Sequence, residues 1–219
     1  MSVTILLADD HQVLRQGLRL LLEAEPDFRV IGETGDGLEV MPLVDRLHPD
    51  VLVLDLLLPG LSGLEVARQV QLQSPATRVV ILSMYLSVAY VAQALAAGAK
   101  AYVAKKSSAD ELVRAIREVI AGRQYLGSSL SEEAIELHRL QTGETLDRYA
   151  TLTRREREVL HLVGEGYTSA MIAERLVVSP RTVDMHRRNL ARKLGLSGQA
   201  ALVRYAVQQG IIPSEAGLV

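Results

Sequence analysis

Short apolar runs alternate with amphipathic segments through the first half of the chain. Residues 3–8, 28–33, 51–55, 78–83 and 101–104 form strand-like, mostly apolar runs. After each run, apolar residues recur at helical spacing, in segments 11–25, 37–47, 63–73, 87–97 and 109–121. Parallel strands need crossover helices of this kind. The pattern therefore predicts an α/β fold, a doubly wound sheet of five parallel strands, but it does not give the order of the strands.

In the last third of the chain, apolar residues recur at helical spacing and no strand-like runs lie between the helical segments. Helices are predicted over residues 153–164, 170–176, 179–194 and 198–209. Thr153 with Glu156 forms a capping-box motif, and Ser179-Pro180 is a helix start, since serine caps and proline suits the first helical position. The second and third of these helices make a helix-turn-helix candidate, although the pattern alone leaves a plain four-helix bundle open.

The periodicity weakens between these two regions. Turn-like residues there surround one short helical segment at 131–140. We therefore predict four parts in the chain, which are a first domain at 1–123, a linker with one helix at 124–150, a small all-α domain at 151–212 and a tail at 213–219.

The composition indicates a packed globular protein and excludes some classes of function. Hydrophobic residues make up 48% of the 219 residues, charged residues make up 23%, and there is no cysteine. Disulfides, thiol catalysis and thiolate metal sites are thereby excluded. The first residues lack the basic lead-in of a secretory signal, and no apolar run approaches the roughly 18 residues that span a bilayer. We expect a cytoplasmic protein with no membrane association.

Charge is distributed unevenly along the chain. Residues 1–150 hold 14 Lys and Arg against 20 Asp and Glu, whereas residues 151–219 hold 10 against 6. Between residues 175 and 193 there are six basic residues and a single acid, Asp184. Such a local surplus can neutralise a phosphate backbone, so the C-terminal domain is a candidate for binding double-stranded DNA, with a solvated helix face as the alternative.

Acidic residues follow two of the predicted strands. Asp9 and Asp10 come after the first strand, and Asp55 ends the third. Parallel strands bring their carboxyl ends to one edge of a sheet, where these carboxylates cannot all stay ionised without a cation to offset their repulsion. An all-oxygen acidic site suits Mg²⁺, which recruits phosphate oxygens as further ligands. A local capping role for Asp55 is the simpler alternative.

Two more polar residues follow strands at the same edge. Ser83 ends the fourth strand, and Lys105 comes directly after the fifth. Ser83 could simply cap a helix, and Lys105 could be solvated beside Lys106. Together with the acids, however, a hydroxyl and an ammonium complete a set of groups that binds a phosphoryl group.

These residues resemble the receiver domain of bacterial two-component response regulators. The resemblance spans residues 3–122 and lies in Asp9-Asp10, in Asp55 with Pro59-Gly60 after it, in Ser83, and in Tyr102-Val103-Ala104-Lys105. It implies that Asp55 is the phosphoacceptor, that Ser83 and Lys105 contact the phosphoryl group, and that Ser83 and Tyr102 change position on activation. It also implies that Mg²⁺ is bound by Asp9, Asp10, Asp55 and the backbone carbonyl of Leu57. Leu58 and Ser62 depart from the usual pattern without touching this chemistry.

Residues 151–210 resemble the LuxR-type DNA-binding domain, through segments 152–160, 172–176 and 179–186. The resemblance places the helix after Ser179 in the major groove, with candidate DNA contacts at Arg181, Thr182, Asp184, Met185, Arg187, Arg188, Arg192 and Lys193. The family usually has Asn near Ser169 and very often Lys at Asp184. We expect Asp184 and Met185 to shift sequence preference, because a carboxylate can accept from cytosine N4. Arg187, Arg188 and Lys193 are expected to supply affinity.

The whole chain therefore resembles a NarL/FixJ-type response regulator. We expect a DNA-binding protein and not an enzyme, in which phosphorylation of Asp55 by a cognate sensor histidine kinase controls homodimerisation and transcription. A small-molecule-sensing or phosphorylation-independent LuxR-type regulator is one alternative. A Mg²⁺-dependent phosphatase of the haloacid dehalogenase type is another, although that family has a second Asp where this chain has Leu57.

Overall fold

The computed structural model describes residues 2–86, 88–128, 148–209 and 211–212. The chain forms two compact units, Met1–Glu144 and Thr145–Val219. The predicted linker helix at 131–140 and the tail at 213–219 lie outside the described residues. No described helix is both long and apolar enough to cross a membrane.

A parallel sheet forms the centre of the first unit. Its strands are β1 (Val3–Ala8), β2 (Phe28–Thr34), β3 (Val51–Leu54), β4 (Arg78–Ser83), β5 (Ala101–Ala104) and β6 (Tyr125–Leu126). They lie in the order β2-β1-β3-β4-β5-β6, and every pair is parallel. The α/β prediction is confirmed, but the strand count of five was wrong. The sixth strand has two residues, which is too short to produce a periodicity in the sequence.

Five helices in the described part of this unit cover the two faces of the sheet. They are α1 (Gln12–Glu23), α2 (Gly37–Leu47), α3 (Gly63–Gln73), α4 (Val88–Ala96) and α5 (Ala109–Ile120). Successive residues of a strand point to opposite faces. Leu6, Leu52 and Ile81 accordingly pack in one buried cluster with residues of α2, α3 and α4, whereas Ile5 and Val53 pack in another with α1 and α5. The continuous apolar runs in the sequence are explained by this burial on both faces.

The described residues of the second unit contain helices and no strand. After a 3₁₀ turn at Arg148–Thr151 come α6 (Arg154–Gly164), α7 (Ser169–Leu176), α8 (Pro180–Leu194) and α9 (Gln199–Gln208). The predicted capping box is present, because Thr153 Oγ1 accepts from the Glu156 N–H and Glu156 Oε2 accepts from the Thr153 N–H. Ser179 caps α8, with its Oγ 3.1 Å from the Thr182 nitrogen. The predicted small all-α domain is confirmed.

Candidate functional site

Backbone hydrogen bonds between neighbouring strands bring the predicted site residues to one edge of the sheet. Ala8 pairs with Leu54, and the Asp55 N–H donates to the Ala8 carbonyl at 2.8 Å. Ser83 pairs with Ala104 in the same way, and the Lys105 N–H donates to the Ser83 carbonyl at 2.8 Å. Leu54 also pairs with Ile81, so the carboxyl ends of β1, β3, β4 and β5 lie side by side at this edge.

Four potential ligand side chains converge at this edge. One donor atom from each of Asp9, Asp10, His11 and Asp55 lies within 4.8 Å of the others. Asp9 and Asp55 are buried, whereas Asp10 and His11 are exposed. The predicted meeting of the three carboxylates is thus present in the structure.

His11 belongs to this cluster although sequence analysis did not include it. Its Nδ1 lies 2.7 Å from Asp10 Oδ1 and 3.4 Å from Asp9 Oδ1. Its backbone N–H also donates to Asp9 Oδ1 at 2.8 Å. The sequence feature that could have identified His11 is its position directly after Asp10. In the structure it is the N-cap residue of α1.

Lys105 is the cation of the cluster. Its Nζ lies 2.6 Å from Asp55 Oδ2 and 2.8 Å from Asp9 Oδ2, and all three side chains are almost fully buried. Two buried carboxylates thus share one ammonium, with the exposed Asp10 beside them. The negative charge exceeds the positive charge, which fits a site for a hard divalent cation with oxygen ligands.

The pKa values of Asp55 and Lys105 both lie above their ordinary values. Burial raises the pKa of Asp55, and Asp9 adds to this, while Lys105 opposes it. Burial acts to lower the pKa of Lys105, but the carboxylates of Asp55 and Asp9 outweigh it. Lys105 is therefore held as an ammonium against the two acids.

The loop after Asp55 packs tightly against the start of α3. An added Cβ on Gly63 would lie 2.0 Å from the Asp55 carbonyl oxygen, so only glycine fits there. The Leu57 N–H points back to Asp55 Oδ1 at 3.4 Å. The loop thereby restricts the Asp55 side chain, whereas the metal-ligand role of the Leu57 carbonyl stays a prediction.

Ser83 and Tyr102 are joined through Tyr85. Ser83 is fully buried, and its Oγ accepts from the Tyr85 N–H at 3.1 Å. The Tyr102 hydroxyl donates to the Tyr85 carbonyl, and its ring is completely buried. Burial also raises the pKa of Tyr102, which keeps the hydroxyl protonated as a donor. Tyr85 itself was not predicted, since it is an ordinary loop residue in the sequence.

In the second unit, α8 presents a charged outer face. Val183, Leu190 and Leu194 are buried, while Arg181, Asp184, Met185, Arg188 and Arg192 are exposed, as helical spacing predicted. A shallow concavity on this face is lined by Arg181, Asp184, Arg187 and Arg188. The structure thus brings most of the predicted DNA contacts onto one surface.

Several of the predicted contacts on α8 make hydrogen bonds within the unit, among them Lys193, Thr182 and Arg192. Lys193 Nζ lies 2.7 Å from Glu156 Oε2 and 3.1 Å from the Thr151 carbonyl. The Thr182 hydroxyl lies 2.8 Å from Ser179 Oγ. Arg192 Nη2 donates to the Asn189 side chain at 3.4 Å. Lys193 therefore contributes to the packing of α8 on α6, which helical spacing could not show.

Ser169 is a residue of this surface whose contacts the sequence did not predict. It is the first residue of α7, and its Oγ donates to Asp184 Oδ1 at 2.7 Å. The same Oγ accepts from Arg187 Nη1 at 2.9 Å, and Arg187 Nη2 donates to Gln199 Oε1 at 3.1 Å. Residues of α7, α8 and α9 are thus linked at the edge of the charged face.

Comparisons with known proteins match both units. The response regulator receiver domain matches residues 5–117, and the luxR family of bacterial regulatory proteins matches residues 150–206. The oxygen regulatory protein NreC of Staphylococcus aureus is 36% identical over 213 residues, which covers 95% of this chain and 98% of that protein.

Two solved structures extend the comparison. A LuxR-family two-component response regulator from an Aurantimonas species is 36% identical, with a TM-score of 0.60 over 64% of this chain and 99% of that chain. RcsB from Salmonella enterica serovar Typhimurium, solved bound to a promoter with a phosphomimetic, is 24% identical, with a TM-score of 0.56 over 94% of this chain and 98% of that chain. The likeness to RcsB supports the fold.

Proposed function

Since this chain belongs to the response-regulator family and has a receiver domain and a LuxR-type DNA-binding domain, we propose that phosphorylation of Asp55 controls its activity as a transcription factor. The observation that supports this most directly is the buried contact of Lys105 with both Asp55 and Asp9. Such a contact holds an acidic side chain, which can receive a phosphoryl group, at the sheet edge beside a cation. The proposed donor is a cognate sensor histidine kinase.

In the proposed reaction, Asp55 is the nucleophile. A carboxylate oxygen of Asp55 forms a bond to phosphorus while the bond from phosphorus to the donor's leaving group breaks, which gives an acyl phosphate. Lys105 would pair with the phosphoryl oxygens, because its ammonium already lies against the attacking carboxylate. Ser83 would offer its hydroxyl from the neighbouring strand end.

The same carboxylates suit Mg²⁺. We propose that Asp9, Asp10 and Asp55, with the Leu57 carbonyl, hold the ion. When bound, Mg²⁺ would offset the negative charge of the carboxylates and of the phosphoryl group. His11 lies against Asp9 and Asp10 and would orient both carboxylates through its ring and backbone N–H groups.

Ser83 and Tyr102 form the proposed switch. The Tyr102 ring is already fully buried. We propose that engagement of the Ser83 hydroxyl by the phosphoryl group moves Tyr85, which contacts Ser83 through its N–H and Tyr102 through its carbonyl. The change would then reach α4 through the Tyr85–Tyr90 ring contact, whose centroids lie 5.2 Å apart.

The second unit would bind the DNA. With α8 in the major groove, Arg181 and Arg188 would contact phosphates, and Asp184 and Met185 would face base edges. The phosphorylated protein would bind double-stranded DNA as a homodimer, and it would act in the cytoplasm, where its DNA target lies.

Light scattering of the full chain tests this function. We would measure the molar mass with and without Mg²⁺ and beryllofluoride, a mimic of the phosphoryl group, in the wild type and in Asp55→Asn. A monomer-to-dimer shift in the wild type alone is the expected result. Labelling of Asp55→Asn by a small phosphodonor to the wild-type extent would overturn the assignment of Asp55.

A further inference from the structure

We propose that Asp184, positioned by Ser169, selects cytosine at one position of each DNA half-site. This inference rests on the proposed function and adds a base preference to the proposed DNA binding. It assigns Asp184 the role of a base-contacting residue, and it makes Ser169 and Arg187 positioning residues.

The carboxylate of Asp184 is fixed at one oxygen. Ser169 Oγ donates to Asp184 Oδ1 at 2.7 Å, and within the described residues 148–209 this is the one hydrogen bond that the carboxylate makes. The residue is nevertheless exposed on α8. Its second oxygen, Oδ2, is therefore left as an acceptor, in an orientation restricted by the Ser169 contact.

Arg187 further restricts the orientation of this carboxylate, and its own guanidinium has hydrogen-bond partners within the unit. Its guanidinium donates to Ser169 Oγ at 2.9 Å and to Gln199 Oε1 at 3.1 Å. Ser169 thus accepts from a cation while it donates to a carboxylate, and such charge-assisted hydrogen bonds are stronger than neutral ones. We infer that Arg187 holds the Ser169–Asp184 pair, whereas phosphate affinity comes mainly from Arg181 and Arg188.

The negative charge of Asp184 limits which groups of the DNA its side chain can contact. Asp184 shares its concavity with Arg181 and Arg188, which would place phosphates on either side of it. A carboxylate near a phosphate is repelled, so it is tolerated at the interface only where the DNA offers a donor. In the major groove those donors are the amino groups of cytosine and adenine.

Cytosine suits the carboxylate better than adenine does. Cytosine presents only its N4 amino group, whereas adenine presents the N7 acceptor beside its N6 amino group. That acceptor would face a lone pair of the carboxylate. Guanine presents two acceptors and thymine an acceptor and a methyl group, so both should be rejected.

Selection of binding sites from random duplex DNA tests the inference. The full chain would be used with Mg²⁺ and beryllofluoride, as wild type and as Asp184→Asn, Ser169→Ala, Ser169→Thr and Glu174→Gln. Glu174→Gln is the matched control, because it removes a carboxylate from an exposed position of α7 and leaves α8 unchanged. Thermal unfolding of each variant would establish that it is folded before selection.

We expect the wild type to enrich cytosine at one position of each half-site. An asparagine amide pairs with the N6 and N7 edge of adenine, so Asp184→Asn should shift that position from cytosine to adenine by roughly tenfold in relative frequency. Ser169→Ala should lower the cytosine preference severalfold, and Ser169→Thr, which keeps a hydroxyl, should retain it. Glu174→Gln should select the wild-type sequence.

Two results would overturn the inference in distinguishable ways. If Asp184→Asn enriches the same bases as the wild type at every position, Asp184 does not contact a base, while the proposed function stands. If the wild type enriches no sequence at all, the proposed function fails and the inference fails with it. Equal base preferences in Ser169→Ala and the wild type would remove the positioning role of Ser169.

Discussion

Lys105 contacts Asp55 across the edge of the sheet, with its Nζ 2.6 Å from Oδ2 and with both side chains almost fully buried. The same ammonium lies 2.8 Å from Asp9. Lys105 thus occupies part of the electrostatic role that a metal ion would fill among these carboxylates. We therefore expect Lys105 to promote phosphoryl transfer but to weaken the binding of the metal ion.

Replacing Lys105 by methionine should tighten the binding of Mg²⁺. The substitution removes a positive charge that lies against two of the carboxylates proposed to hold the ion. Repulsion between two unit charges a few ångströms apart costs roughly 1 kcal/mol even at the dielectric constant of water, and about twice that for a divalent ion. We expect the dissociation constant for Mg²⁺ to fall by about tenfold, and labelling by a small phosphodonor to become slower. Titration of Mg²⁺ by calorimetry would measure the affinity.

Lys106→Met is the control for this substitution. Lys106 is exposed and adjacent in sequence, so its loss changes the net charge equally without emptying the buried contact. Unchanged or weaker Mg²⁺ binding in Lys105→Met would contradict the prediction.

Removing the Tyr102 hydroxyl should destabilise the first unit. In Tyr102→Phe the Tyr85 carbonyl loses its hydrogen-bond donor, and we expect the free energy of unfolding to fall by about 1 kcal/mol. Urea unfolding followed by circular dichroism would measure the change. Tyr90→Phe should have a smaller effect, because its hydroxyl makes no hydrogen bond among the described residues. Equal losses in the two variants would mean that the Tyr102–Tyr85 bond contributes nothing specific.

Val177 is strained in the turn between α7 and α8. It has a φ of 55° and is 89% exposed, so a β-branched residue adopts the left-handed conformation there without compensating burial. Left-handed backbone costs roughly 1–2 kcal/mol for L-residues, and asparagine tolerates it best after glycine. Val177→Asn should therefore raise the free energy of unfolding of the second unit by about 1 kcal/mol.

Val177→Thr tests whether strain is the cause. Threonine is polar like asparagine but keeps the branched Cβ, so we expect no gain in its thermal unfolding temperature. A similar gain in both variants would attribute the stabilisation to surface polarity instead of backbone conformation.

Glu156 should make the stability of the second unit depend on pH. Burial acts to raise its pKa, but hydrogen bonds from Lys193 and Thr153 outweigh this and hold the pKa below its ordinary value of 4.5. A carboxylate whose pKa is lowered by folding stabilises the folded state above its unfolded pKa. That contribution is lost as the pH falls through the folded pKa.

Glu156→Gln isolates the charge, because glutamine can keep the capping box with Thr153. We expect the variant to be less stable than the wild type by about 1 kcal/mol near pH 7, and the difference to shrink towards pH 4 and below. Urea midpoints over this range would measure it, with the exposed Glu174→Gln as control. A difference that is independent of pH would contradict the role of the Glu156 charge.

The helices, the main strands and the family could be predicted from the sequence alone. Burial on both faces imposes continuous apolar runs on β1, β3 and β4, and helical spacing with caps such as Thr153 and Ser179 marks the helices. The meeting of Asp9, Asp10 and Asp55 also followed from sequence, because parallel strands that end in acids must bring them to one edge.

The strand order, the sixth strand and the partners of individual side chains could not be predicted from the sequence. These depend on contacts between residues distant in sequence, such as Lys105 with Asp55 and Lys193 with Glu156, for which periodicity carries no information. Ser169 is the clearest case, because its position at the start of α7 revealed neither Asp184 nor Arg187 as its partners. Local patterns specify which face of an element is buried, whereas the packing of whole elements decides which polar groups meet.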